Sequence, residues 1–209
     1  LYVNREERFV GTGLKRDEYV CDCSDIDDLI VFTQDGKLMI TKVGSKTFIG
    51  KGIIHVAVFK KKDKRTIYNM IYKDGKGGPS YIKRFAVTGV TRDKEYDLTN
   101  GKPNSNVLYF SANPNGEGEV VSVLLRQVGS IKKLKWDIDF ADIIIKGRVS
   151  KGNLVTKHAV KRIELKEKGV STLKPRKIWF DDTIQRLNVD GRGELVGEFR
   201  GEDRILVIT

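Results

Sequence analysis

Apolar residues along this chain come in short runs, rich in Val, Ile, Tyr and Phe and broken by Gly, Asn and Asp. That pattern predicts many short antiparallel strands. No stretch sustains a 3.6-residue period with capping residues at both ends, so almost no helix is expected. The runs fall in pairs around tight-turn signals. Residues 29–33 (Leu-Ile-Val-Phe-Thr) lead through Asp35-Gly36 into 37–43, and residues 67–72 through Asp74-Gly75 into 81–87. A third pair joins 107–110 to 120–126 across Asn115-Gly116. A fourth joins 143–145 to 154–157 across Lys151-Gly152, and a fifth has 184–188 with Asp190-Gly191. Gly and Asn serve these turns because a tight hairpin needs positive φ.

The turn glycines 36, 75, 116, 152 and 191 are separated by 39, 41, 36 and 39 residues. In an all-β chain, a period near forty implies about four strands per unit, the unit of a propeller-like array. Residues 195–209 also echo residues 19–33, and the echo stops where the first copy would enter its turn. The expected fold is all-β, about five four-stranded blades in an open or closed array. Trp136-Asp137 does not recur, which argues against a WD40 propeller.

Charge sharpens this picture. The 209 residues carry 39 Lys+Arg against 28 Asp+Glu, a formal net of +11. Residues 44–90 alone hold eleven basic and two acidic side chains, whereas residues 1–43 are net negative. Excess so localised suits a polyanionic partner better than a general solubility role. At 39% hydrophobic and 32% charged the chain is neither a membrane protein nor disordered. It begins at Leu1 with no charged-then-apolar leader, so it reads as a piece of a longer cytoplasmic protein.

Candidate chemistry is sparse. Cys21 and Cys23 are too close for an easy disulfide and lack partners at zinc spacing, so they are expected to be reduced and packed. The two histidines, His55 and His158, sit far from any nucleophile, giving no triad signal. The acidic groups Asp25, Asp27, Asp28 and Asp181, Asp182 suit Asx-type turns. Gly75, Gly77 and Gly78 lack the Lys-Ser/Thr of a phosphate loop. No catalytic site, metal or cofactor is expected. Basic residues, by contrast, recur where the second strand of a hairpin ends: Lys42, Lys83 with Arg84, Arg126 and Lys157. Cations equally spaced on a curved rim would neutralise duplex phosphates without reading bases. Lys60, Lys61 and Lys62, and Lys132 with Lys133, lie between them.

Residues 27–36 (Asp-Asp-Leu-Ile-Val-Phe-Thr-Gln-Asp-Gly), followed by 49–54 (Ile-Gly-Lys-Gly-Ile-Ile), form a unit that resembles a known repeat. It is similar to the C-terminal domain of the A subunit of bacterial type IIA DNA topoisomerases, the gyrase and topoisomerase IV family. Residues 193–209 resemble the same repeat's acidic approach to its apolar strand. The resemblance implies a β-pinwheel, whose blades exchange strands with their neighbours and bend double-stranded DNA around a basic edge. It also implies that strand passage belongs to preceding domains. The expected partners are then DNA, the ATPase subunit of the holoenzyme and the catalytic part of the same polypeptide, in the bacterial cytoplasm at the nucleoid. Residues 1–18 are expected to be a lead-in with the first strand, and 19–209 the pinwheel.

Gyrase A subunits carry a Gln-Arg-Arg-Gly-Gly-Lys-Gly box for chiral wrapping. Here residues 45–52 read Ser-Lys-Thr-Phe-Ile-Gly-Lys-Gly, without the arginine pair. The topoisomerase IV type, which relaxes and decatenates, is therefore favoured over gyrase-type wrapping, with Lys46 and Lys51 as further phosphate contacts. A protein-interaction propeller would explain the repeats without needing the charge. A carbohydrate-processing propeller would need converging carboxylates and more exposed aromatics than Trp136 and Trp179.

Overall fold

The computed structural model describes residues 1–209 apart from 51, 130, 201–202, 205 and 207–209. Strands dominate, and a 3₁₀ turn at Phe140–Asp142 is the one helical element among the described residues. The chain opens with β1 (Tyr2–Asn4), β2 (Phe9–Gly11) and β3 (Glu18–Tyr19), with β1 between the other two. Residues 1–18 supply β1, β2 and the start of β3. The hairpin of β4 (Asp28–Thr33) and β5 (Lys37–Lys42) follows. β6 (Thr47–Phe48) then leaves that hairpin to pair with β2, and β7 (Ile53–Val58) returns to pair with β4.

This sequence of moves repeats. β8 (Ile67–Lys73) and β9 (Ser80–Ala86) form a hairpin, β10 (Glu95–Asp97) crosses back to β5, and β11 (Asn106–Asn113) returns to β8. β12 (Val120–Leu125) pairs with β13 (Lys135–Asp139). β14 (Ile145–Gly147) and β15 (Asn153–Thr156) then both run along β9, before β16 (Val160–Glu167) returns to β12. A last sheet holds β17 (Arg176–Asp181) between β18 (Arg186–Asn188) and β19 (Glu194–Phe199). The second strand of each of the first three hairpins is therefore covered by a segment from the next unit. The expected strand exchange is present.

Among the described residues five sheets are found, of four, four, five, three and three strands. Three of the five expected hairpins are something else. β11 and β12 part into different sheets across Gly116, and β14 and β15 flank Gly152 without pairing with each other. In the fifth unit Gly191 links β18 to β19, while the hairpin itself turns at 182–185, with Gln185 at φ 50°. All five turn glycines do have positive φ, from 67° to 87°. Glycine marks where the chain can reverse; an unpaired neighbouring edge decides which sheet captures the next strand.

Apolar side chains explain the stacking. Successive strand residues face opposite ways, so Leu29 and Val31 join Val3, Val10 and Val56 in one core, while Ile30 and Phe32 join Leu38, Tyr68, Met70 and Phe85 in the next. A third core holds Ile71, Ile82, Val121 and Phe140. The second and third sheets are buried on both faces, hence the unbroken Leu-Ile-Val-Phe run. In the fourth sheet one face carries Val121, Val123 and Ile163. The other aligns Ser122 with Asp137 and Glu164, and Leu124 with Lys135 and Arg162. Lys166 pairs with Asp137 at 2.7 Å on that polar side. An apolar stack stops where a face turns polar, so the packed array comprises four sheets. The fifth follows through a strap at 169–172, which pairs with residues 116–118. Among its described residues only Ile178 is a buried apolar side chain.

Candidate nucleic-acid interface

The two most prominent sequence candidates point inward. Lys83 and Arg84 are 2% and 1% exposed, so neither can meet a phosphate. The Arg84 guanidinium donates to Asn69 Oδ1 at 2.9 Å and to the carbonyls of Phe140 (3.2 Å), Gly116 (2.9 Å) and Glu117 (3.1 Å), and contacts Thr172 Oγ1 at 3.1 Å. It thereby joins the third sheet, the fourth and the strap. Lys83 Nζ donates to the carbonyls of Arg148 and Ser150 at 2.6 and 3.1 Å, 5.0 Å from the Phe85 ring centre. Burial pulls its pKa down to about 8, opposed by Asp97. Sequence position suggested a rim, but β14 and β15 cover that edge of β9.

The other candidates remain at the surface. Lys42, Lys46, Lys60, Lys61, Lys62, Arg126, Lys132, Lys133 and Lys157 are exposed, and Lys51 lies outside the described residues. Lys46 is drawn toward Glu7 at 3.9 Å and over the Phe9 ring at 4.1 Å. Four candidates gather at one end of the fourth sheet. The Arg126 amide bonds the Ala159 carbonyl at 2.8 Å, bringing Arg126 beside the turn that carries Lys157. Lys133 lines a cleft of about 370 Å³ there with Trp136, Thr156 and His158, and Lys132 is its chain neighbour. Among the described residues none of these four has a carboxylate within ion-pair distance. Lys60, Lys61 and Lys62 ride on the β7–β8 connection, and Lys42 ends β5 opposite Asp28.

Further cations were not singled out from the sequence. Arg148 lies 4.8 Å from the Tyr96 ring centre with Lys94 at 5.4 Å, and Lys151 lies 4.6 Å from the Tyr81 ring. The interleaving of Lys/Arg with Tyr at 81, 94, 96, 148 and 151 was the available signal. Its parts are far apart in sequence and meet only because β10 and β14–β15 are exchanged strands.

Among the described residues no three His, Cys, Asp or Glu side chains gather to hold a metal. Cys21 and Cys23 are free thiols, half-buried against the first core. His55 is wedged against Phe32, Phe110 and Tyr68, and burial lowers its pKa to about 4. Asp181 accepts the Thr183 amide two residues on, as an Asx turn does, whereas Asp27 reaches back to accept the Ser24 amide.

Residues 1–168 match the family described as "Topoisomerase C-terminal domain, Bacteroidota". The chain belongs to this family of topoisomerase C-terminal domains. The matched span ends one residue after β16, so it takes in the four stacked sheets and leaves out the strap and fifth sheet. A curated relative, the A subunit of DNA topoisomerase 4 from Borreliella burgdorferi, is 26% identical over 167 residues, 79% of this chain and 25% of that protein. The chain thus spans about a quarter of its length. A crystal structure of the C-terminal domain of DNA topoisomerase IV aligns with 73% of this chain and 50% of its own, at 11% identity and a TM-score of 0.46. The resemblance to the A subunits of these topoisomerases is borne out. In this topoisomerase C-terminal domain the stretch compared with the gyrase box runs through β6, whose Thr47 and Phe48 pair with Val10 and Phe9.

Proposed function

We propose that this chain is the accessory DNA-binding domain of a topoisomerase IV-type A subunit, holding and bending the transported duplex and presenting it to a catalytic core elsewhere in the holoenzyme. The observation that carries this reading is the group of exposed, carboxylate-free cations at the end of the fourth sheet: Arg126, Lys132, Lys133 and Lys157. Unpaired surface cations are held hydrated and release phosphate counterions on contact, which gives affinity without sequence preference. Cleavage, ATP hydrolysis and any cofactor belong, in this reading, to the ATPase partner and the catalytic part of the same polypeptide, acting on DNA at the nucleoid. The missing arginine pair at 45–52 favours relaxation and decatenation over chiral wrapping.

The test is the affinity of the chain for a long duplex across a salt series. Replacing all four cations by Ala should flatten the log–log salt slope by up to about 3.6, at about 0.9 per phosphate contact, with sequence preference unchanged. A slope as steep as that of the unaltered chain would remove the cluster from the interface. Ligation of a nicked circle in the presence of the chain should leave linking number unshifted; a shift would make it a gyrase-type wrapper. Binding indifferent to salt would favour a protein-interaction module instead.

A further inference from the structure

The loop between β14 and β15 is held by its carbonyl groups. Lys83 Nζ reaches the Arg148 and Ser150 carbonyls at 2.6 and 3.1 Å, and the Tyr72 hydroxyl donates to the Lys151 carbonyl at 2.7 Å. Gly152, at φ 87°, lies so close to β9 that a Cβ there would stand 2.3 Å from the Ile82 carbonyl oxygen. Three stations of the loop thus turn their oxygens inward. Side chains then turn the other way: Lys151 is exposed beside Tyr81, and the half-buried Arg148 lies over Tyr96 with one Nη bonded to the Gly89 carbonyl at 3.1 Å. Lys94 flanks the same ring, and Lys146 is exposed within β14 itself.

We propose that Lys83 is a positioning residue for DNA binding, fixing the β14–β15 loop from beneath so that Arg148 and Lys151 stand out as phosphate contacts. The proposal rests on the DNA-binding reading above. An apolar side chain would fill the space between Phe85 and Tyr72 without burying a charge, and burying an ammonium with no carboxylate at ion-pair distance is costly. What an apolar side chain cannot do is satisfy two converging carbonyls. Without that donor, those oxygens would seek water and the loop would peel from β9, scattering its cations. Fixed cations lose less side-chain entropy on meeting a phosphate than free ones, and the aromatic rings under Arg148 and Lys151 add to that order.

The experiment compares the chain with Lys83→Met, with Arg148→Ala plus Lys151→Ala, and with the triple variant, by duplex affinity over a salt series. Lys83→Met should flatten the slope by about 1 to 2, although the side chain removed is buried away from solvent, and the double variant by about 1.8. In the triple variant the effects should not add, because both act on the same contacts. An unchanged slope in folded Lys83→Met, or simple additivity, would overturn the proposal. Should Lys83→Met fail to fold, Tyr72→Phe removes one anchor without touching a buried charge. It should flatten the slope less, and no flattening would count against the loop's role. Amide exchange of residues 147–152 separates the two readings. Faster exchange in the variant with no duplex binding by any chain would leave the clamp and sink the DNA role; equal exchange would sink the clamp.

Discussion

Replacing Arg84 by Met tests whether this arginine fastens the array rather than touching DNA. The methionine keeps most of the apolar stem and removes every donor. Asn69 Oδ1, which accepts from Arg84 Nε at 2.9 Å, loses the partner shown for it. A buried acceptor left that way costs roughly 1–3 kcal/mol. The Phe140, Gly116 and Glu117 carbonyls keep other donors, namely the Ile143 amide, the Thr172 amide and Asn69 Nδ2, so each loses about 1 kcal/mol or less. Against this, the variant no longer buries a guanidinium, whose pKa burial depresses even with Asp139, Glu119 and Glu117 nearby. The balance is a loss of about 2–4 kcal/mol in urea unfolding. Replacing Asn69 by Leu in the same chain should not recover it, because the Glu117 carbonyl and the Glu119 carboxylate then lose the Asn69 Nδ2 donor as well. The salt slope of DNA binding should stay unchanged. A near-neutral unfolding free energy together with a slope lowered by about 0.9 would refute the reasoning and return Arg84 to the rim.

Other outcomes follow from the same geometry. Lys83 titrates at about 8 in the fold against an ordinary value of 10.5, so between those values the unfolded chain holds a proton the folded one has released. Stability should therefore rise with pH through that window, and Lys83→Met should lack the rise when urea midpoints at about pH 7.5 and 9.5 are compared. His55, lowered to about 4 from 6.5, makes stability fall as pH drops from 6.5 toward 4, and His55→Phe should flatten that acid limb. A Cβ on Gly169 would stand 1.2 Å from the Gly118 carbonyl oxygen; Gly169→Ala should displace the strap and cost about 1–3 kcal/mol in the same assay. Ending the chain after Pro175 removes a sheet whose described strands pair only with one another, so the amide spectrum of residues 1–167 should be retained and stability should change by about 1 kcal/mol or less.

The fold class was legible because each unit advertises itself locally. Period-two apolar runs, and glycines that must take positive φ, are properties of a few neighbouring residues; strands and reversals followed from them. The resemblance of residues 27–36 and 49–54 to a topoisomerase repeat was legible for the same reason, and so was the exposure of Lys60–Lys62, Lys132 and Lys133 in polar connections. Strand exchange was expected from that resemblance alone. What no local pattern could specify is which edge captures a strand, because β11 and β12 look like a hairpin until an open neighbour competes for each. That competition covers β9 with β14 and β15. Lys83 and Arg84 are ordinary strand-end cations in sequence, and the covering strands convert them into buried donors to carbonyls. It also assembles Tyr96, Lys94 and Arg148 from distant segments. Residue order along the chain was enough to specify the strands, their reversals and the sign of the surface charge. Which of the cations face water was left to tertiary packing, because burial depends on what lies across the sheet edge and not on what lies next along the chain.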